Sequence, residues 1–201
     1  MRTLRSAAVA TLLAAATLAP AALVAQDLHP SRRPSPLGLA RMLDGDAYVK
    51  IHYSRPYKRD RDNIFGTAES KALVPFGERW RLGANEATEL TTTHDLVFGD
   101  QKLPAGTYSV FATPGPDSWK IHFNTRLGLS GTGFFDMATG KFEAVDLDSS
   151  DILVLEAPVT MLDEKDEVDQ FTIAIKRGDA GAAIEISWIR TRVSVPFRVG
   201  R

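Results

Sequence analysis

The chain has 201 residues, no cysteine, and 24 Lys and Arg against 25 Asp and Glu. That near-neutral balance removes the electrostatic basis for nucleic-acid binding, and the lack of cysteine excludes disulfides, thiol catalysis and lipid attachment through an N-terminal cysteine. Stability must come from an ordinary hydrophobic core, and the length suits one domain.

Residues 1–25 carry Arg2 and Arg5, an apolar run interrupted only by Thr11, Thr17 and Pro20, and a small residue, Ala25, ahead of Gln26. Basic, apolar and small in that order describe a secretory signal peptide. A membrane anchor competes, since the run approaches the ~20 residues that span a bilayer. The alanine content, Pro20 and the cleavage point favour removal, so the expected location is periplasmic or secreted, with no transmembrane segment afterwards. Loss of Arg2 and Arg5 leaves 24 − 2 = 22 bases against 25 acids, a charge of −3 over 201 − 25 = 176 residues.

Residues 26–45, with Pro30, Pro34 and Pro36, read as an extended leader into a single domain over 46–199. Val49, Ile51 and Tyr53 alternate with Tyr48, Lys50 and His52, which predicts the first strand. A long charged loop follows, Lys58-Arg59-Asp60-Arg61-Asp62-Asn63, with room for a short helix over 67–72 and no periodicity until Glu78. Residues 73–88 read as a turn, a short strand and a polar loop. Strands over 87–93 and 95–98 precede a turn at Gly99-Asp100, and Pro104-Ala105-Gly106 forms another. Residues 107–112 and 118–123 flank Thr113-Pro114-Gly115-Pro116-Asp117 and form the clearest hairpin, with Trp119, Ile121 and Phe123 on one face. Strands are expected over 141–147, 152–161, 169–177 and 182–195. In the last, Ile184, Ile186 and Trp188 share one phase and Val193 and Val195 the other, which predicts a bulge near 188–190. The fold class is all-β, an antiparallel β-sandwich with the jelly roll as one form and a long loop between the first two strands.

Complete catalytic constellations are missing. The four histidines, His29, His52, His94 and His122, are scattered; His52 and His122 with Glu86 are one conceivable metal set, but no metal or other cofactor is implied. Ser130 lacks the Gly-x-Ser-x-Gly spacing of a nucleophile elbow. Glu86 could serve a glycan hydrolase as acid or base, yet spacing identifies no second carboxylate. A salt bridge from Glu86 to Arg81 or Arg55 explains the same residues. Ten acids against Lys165 alone between residues 143 and 169 make a solvated acidic face, open to a cation or basic partner.

The density of residues 73–88 points instead to binding. Arg55 and Arg81 suit a carboxylate, phosphate or sulfate, Asn85 can orient a ligand, Glu86 can fix the arginines, and Tyr53, Trp80 and Trp119 offer flat faces. Candidate ligand residues are thus Tyr53, Arg55, Trp80, Arg81, Asn85 and Glu86, for an unknown polar small molecule, a glycan or an envelope protein. A purely structural polar network is the competing explanation.

Tyr53-Ser54-Arg55-Pro56, Ile64-Phe65-Gly66, Leu73-Val74-Pro75-Phe76-Gly77, the run from Trp80 to Thr88 (Trp-Arg-Leu-Gly-Ala-Asn-Glu-Ala-Thr) and Leu103-Pro104-Ala105-Gly106-Thr107-Tyr108-Ser109 occur in that order. Together they resemble exported bacterial proteins grouped as the domain of unknown function 2911 family. The resemblance covers residues 47–195 and implies an exported β-rich domain without an assigned activity, cofactor or substrate. Asp60-Arg61-Asp62-Asn63 departs from the basic, glycine-containing form associated with that family.

Overall fold

The computed structural model describes residues 33–200 apart from Met137. In chain order the strands are β1 (Leu37–Asp44), β2 (Ala47–Ser54), β3 (Phe65–Gly66), β4 (Val74–Pro75), β5 (Thr88–Thr92), β6 (Leu96–Phe98), β7 (Gln101–Leu103), β8 (Gly106–Pro114), β9 (Ser118–Asn124), β10 (Gly133–Asp136), β11 (Lys141–Ala144), β12 (Asp151–Met161), β13 (Val168–Gly178), β14 (Gly181–Ile189) and β15 (Thr191–Val199). Helix among the described residues is limited to the 3₁₀ turns Asp148–Ser150 and Glu164–Asp166. No described helix is long and apolar enough to cross a membrane.

The main sheet is antiparallel and runs β1-β2-β5-β8-β9-β12-β15-β14-β13, with β6 and β7 appended to β15. The path is a meander as far as β9. After β12 the β13–β14–β15 meander brings β15 back beside β12, a Greek-key return, the device that a jelly roll uses twice. Ile51, Leu90, Val110 and Ile121 from one half of the sheet and Ile173, Ile184, Ile186 and Val195 from the other line one small apolar gap. The two halves therefore face each other across a common core, consistent with a sandwich. The predicted inward set is buried: Val49, Ile51 and Tyr53 on β2, Trp119, Ile121 and Phe123 on β9, Phe171 and Ile173 on β13.

Five expectations change. The first strand begins at Leu37, within the stretch read as leader, because apolar residues on both faces hide its period. Ala40 and Met42 point to the core while Leu37, Leu39 and Leu43 remain exposed. The long loop consequently joins the second and third sheet strands, β2 and β5, and contains the short parallel pair β3/β4; residues 68–71 in it form a turn instead of a helix. Trp80 makes an isolated bridge to Ala112 instead of joining a strand. Finally, the phase change in 182–195 arises from a two-residue hairpin turn, Ile189-Arg190, between paired Trp188 and Thr191. Ile189 takes φ 49°, a left-handed conformation costly for a β-branched residue. The turn is held from outside: Leu162 N–H donates to the Arg190 carbonyl (2.7 Å) and Arg190 Nε to the Leu162 carbonyl (2.9 Å).

Candidate functional site

The loop from Arg81 to Ala87 is locked at both ends. Trp80 exchanges backbone bonds with Ala112 of β8, and Thr88 donates its N–H to the Arg81 carbonyl (3.1 Å) and its hydroxyl to the Leu82 carbonyl (2.6 Å). Leu82 and Asn85 have φ of 53° and 57°, and Gly83 must be glycine because a Cβ there would lie 2.8 Å from the Ser54 carbonyl. Such a conformation persists only where surrounding contacts enforce it. Here fully buried Leu82 and the closing bonds of Thr88 do so.

The six predicted residues separate into three groups. Tyr53 and Arg55 join the end of β2 to β13. The Tyr53 hydroxyl donates to the Ile173 carbonyl (2.9 Å) and accepts from its N–H (2.8 Å), while Arg55 donates to the Phe171 carbonyl (3.2 Å) and the Thr172 hydroxyl (2.9 Å). Asn85 and Glu86 hold the segment that enters β1. Asn85 donates to the Ser35 carbonyl (3.3 Å) and Ser54 Oγ (3.1 Å), and Glu86 pairs with Arg33 at 2.5 Å. Glu86 thus finds its arginine in Arg33, not Arg81 or Arg55. Burial pushes its carboxyl up, but bonds from its own N–H and from Arg33 prevail and leave it below the usual range. A general acid needs the opposite shift.

Trp80 and Arg81 form the third group. Trp80 stacks on Trp188 (centroids 6.1 Å, 16° between planes), meets Trp119, Phe171 and Phe65 edge-on, and donates Nε1–H to the Gly83 carbonyl (3.0 Å). Its ring packs against these core rings but stays partly exposed, whereas Trp119 is fully buried. Arg81 differs. Its Nε is buried without a hydrogen-bond acceptor and its Nη1 lies against Gly131. Burial lowers its pKa, and the charge of Glu86 restores only part of the loss.

Arg81 and Trp80 line a cavity of about 260 Å³ together with Pro34, Ser35, Pro56, Tyr57, Arg59, Arg61, Leu73, Val74, Gly83, Ala84 and Trp188. Arg61 donates through Nη2 to the Tyr57 carbonyl, and its Nε is also buried without an acceptor. Arg59, at φ 52°, donates to the Pro34 carbonyl (3.5 Å). Among the described residues, none of these three arginines forms a salt bridge. Two larger and shallower depressions, about 370 and 570 Å³, flank the β13–β14 turn, but neither is lined by a buried side chain lacking a partner.

The family described as a protein of unknown function (DUF2911) matches residues 35–197. The chain belongs to this family. No curated protein and no solved structure matches it. Every residue lining the arginine cavity except Pro34 falls inside the span matched by DUF2911.

A second polar cluster in this DUF2911 chain lies on the face of β9 opposite the core residues Trp119, Ile121 and Phe123 and was not visible in the sequence. His122 Nδ1 lies 2.9 Å from Asp151 Oδ2 and Nε2 lies 3.0 Å from the Thr113 hydroxyl. Asp151 also accepts from Asn124 (2.7 Å) and from both Nη atoms of Arg79 (3.1 and 2.9 Å). Burial and the Arg79 charge depress the His122 pKa against the pull of Asp151. The sheet register creates this cluster, since His122 pairs with Phe111 and Val154 on neighbouring strands. The proposed pairing of His52 with His122 is lost for the same reason: β5 and β8 stand between their strands, and strand spacing is about 4.8 Å. His52 instead faces Glu89 at 3.6 Å. No group of three or more His, Asp or Glu among the described residues could hold a metal.

Proposed function

We propose that this chain is an exported β-domain that binds an anionic ligand without chemical conversion, in the cavity lined by Arg59, Arg61 and Arg81. The carrying observation is that Arg59, Arg61 and Arg81 line one cavity and that, among the described residues, none of them forms a salt bridge. Cations held together without a counter-charge are costly, and a bound anion would supply that charge. A cluster of cations without carboxylate partners also favours a ligand over a structural network, whose charges would be paired by the fold.

The test is a thermal-shift series with carboxylates, phosphate, sulfate, sugars and divalent ions at constant ionic strength, on wild type and Arg81→Met. One anion class should raise the wild-type Tm saturably and leave Arg81→Met unmoved. A response to neutral sugars or cations only would refute the proposal. A second reading, an envelope protein partner, draws on the β10–β11 hairpin, which stands apart from the main sheet with Phe134, Phe135 and Phe142 exposed.

A further inference from the structure

The inventory of the arginine cavity restricts which anion it accepts. Among the described residues, its walls contain no Asp, Glu, Asn, Gln or His, and the side-chain hydroxyls are those of Ser35 and Tyr57 alone. Most wall carbonyls already accept a hydrogen bond. Pro34 takes Arg59, Ser35 takes Asn85, Pro56 takes Phe171 N–H, Tyr57 takes Arg61, Trp80 takes Ala112 N–H, Arg81 takes Thr88 N–H and Gly83 takes the Trp80 indole. The site is rich in donors and poor in free acceptors. A ligand with several hydroxyls would bury donors that find no partner, the circumstance that rejects polar analogues most strongly.

The remaining wall is apolar: Pro34, Pro56, Val74, Trp80 and Trp188, with Leu73 half-exposed at 49%. A tetrahedral inorganic anion set against it would lose hydration without gaining contact, whereas an apolar body recovers about 25 cal/mol for each Å² removed from water. A volume near 260 Å³ lies below the range of drug-sized pockets, so the body must be small. An arginine edge matches the planar, two-oxygen geometry of a carboxylate.

We infer that the ligand of this cavity is a compact organic monocarboxylate with an apolar body, in preference to an inorganic anion or a sugar acid. This rests on the anion-binding reading above and narrows it to one chemical class.

The test is calorimetric titration of the purified protein at constant ionic strength with four probes: cyclohexanecarboxylate, its neutral shape match cyclohexanemethanol, inorganic phosphate and glucuronate. Cyclohexanecarboxylate should bind saturably and the other three should not. Arg61→Gln should weaken it about tenfold or more through loss of a charge-assisted bond. Leu73→Asp, at a half-exposed position, should weaken it about tenfold by placing like charge at the wall. Binding of phosphate or glucuronate that Arg61→Gln abolishes, with cyclohexanecarboxylate inert, would overturn this inference and leave the anion site standing. Equal binding of the alcohol would overturn it too, since the arginines would then play no part. Silence from every probe and from the wider anion panel would overturn both.

Discussion

Tyr53→Phe removes one oxygen that serves two bonds. β13 is the last strand of the sheet, so its outer N–H and C=O groups have no neighbouring strand, and the Tyr53 hydroxyl satisfies both groups of Ile173 at 2.8 and 2.9 Å. Phenylalanine keeps the edge-on contact with Phe171 (5.8 Å) but leaves a buried donor and a buried acceptor without partners. At about 1–2 kcal/mol for each, the variant should lose roughly 2–4 kcal/mol. For a domain of this size each kcal/mol lowers Tm by about 2–4 °C, so calorimetry should find a fall of roughly 4–16 °C. Burial also raises the Tyr53 pKa above its ordinary value of 10.0, against the opposing Ile173 bond and Arg55 charge. The unfolded chain therefore ionises first, and the contribution of Tyr53, present below pH 10, is lost as pH rises through the higher folded value; Tyr53→Phe should lack that alkaline loss. A destabilisation under about 0.5 kcal/mol would refute the reasoning, because water would then replace the hydroxyl at no cost.

Arg79→Ala should cost about 3 kcal/mol by urea unfolding, nearly all of it from Asp151, since the other partner, Asp148, is exposed and such pairs contribute little. The same change removes a cation that depresses His122, so the His122 ring should titrate at higher pH by NMR. With a folded pKa below the ordinary 6.5, His122 contributes stability that is present above pH 6.5 and lost as pH falls through the folded value; His122→Gln should flatten that part of the stability–pH curve. Gly131 has φ 78°, and a Cβ on it would meet Arg81 Nη1 at 2.8 Å. Gly131→Ala should therefore displace Arg81 and abolish the carboxylate response in titration, with a stability loss of about 1–2 kcal/mol from the left-handed backbone.

Where turn chemistry and alternation agreed, the sequence was sufficient. Pro114, Gly115 and Pro116 placed the β8–β9 hairpin, Gly99-Asp100 placed the β6–β7 turn, and Phe171, Ile173 and Ile175 placed β13. It misled where local signals were ordinary. The Ile189-Arg190 turn has neither Gly nor Asn, so a reversal looked like a slipped phase, and the two-sided apolar pattern of β1 concealed a strand behind three prolines. The dense segment from Leu73 to Thr88 contains Arg81, which lines a cavity. The functions of its neighbours followed from contacts that no spacing encodes. Tyr53 and Arg55 meet β13 about 116–120 residues away, Glu86 meets Arg33 53 residues away, and Arg59 and Arg61 come from a loop that read as solvated surface.

If the cavity arginines serve a ligand, the fold should gain nothing from Arg81 when no ligand is present. Urea unfolding of wild type and Arg81→Met, side by side without added anion, tests this most directly. Methionine keeps the apolar stem and removes a buried, unpaired charge, so the variant should be as stable as wild type or more so. A loss above about 1 kcal/mol would contradict the account and make Arg81 a structural member of the loop.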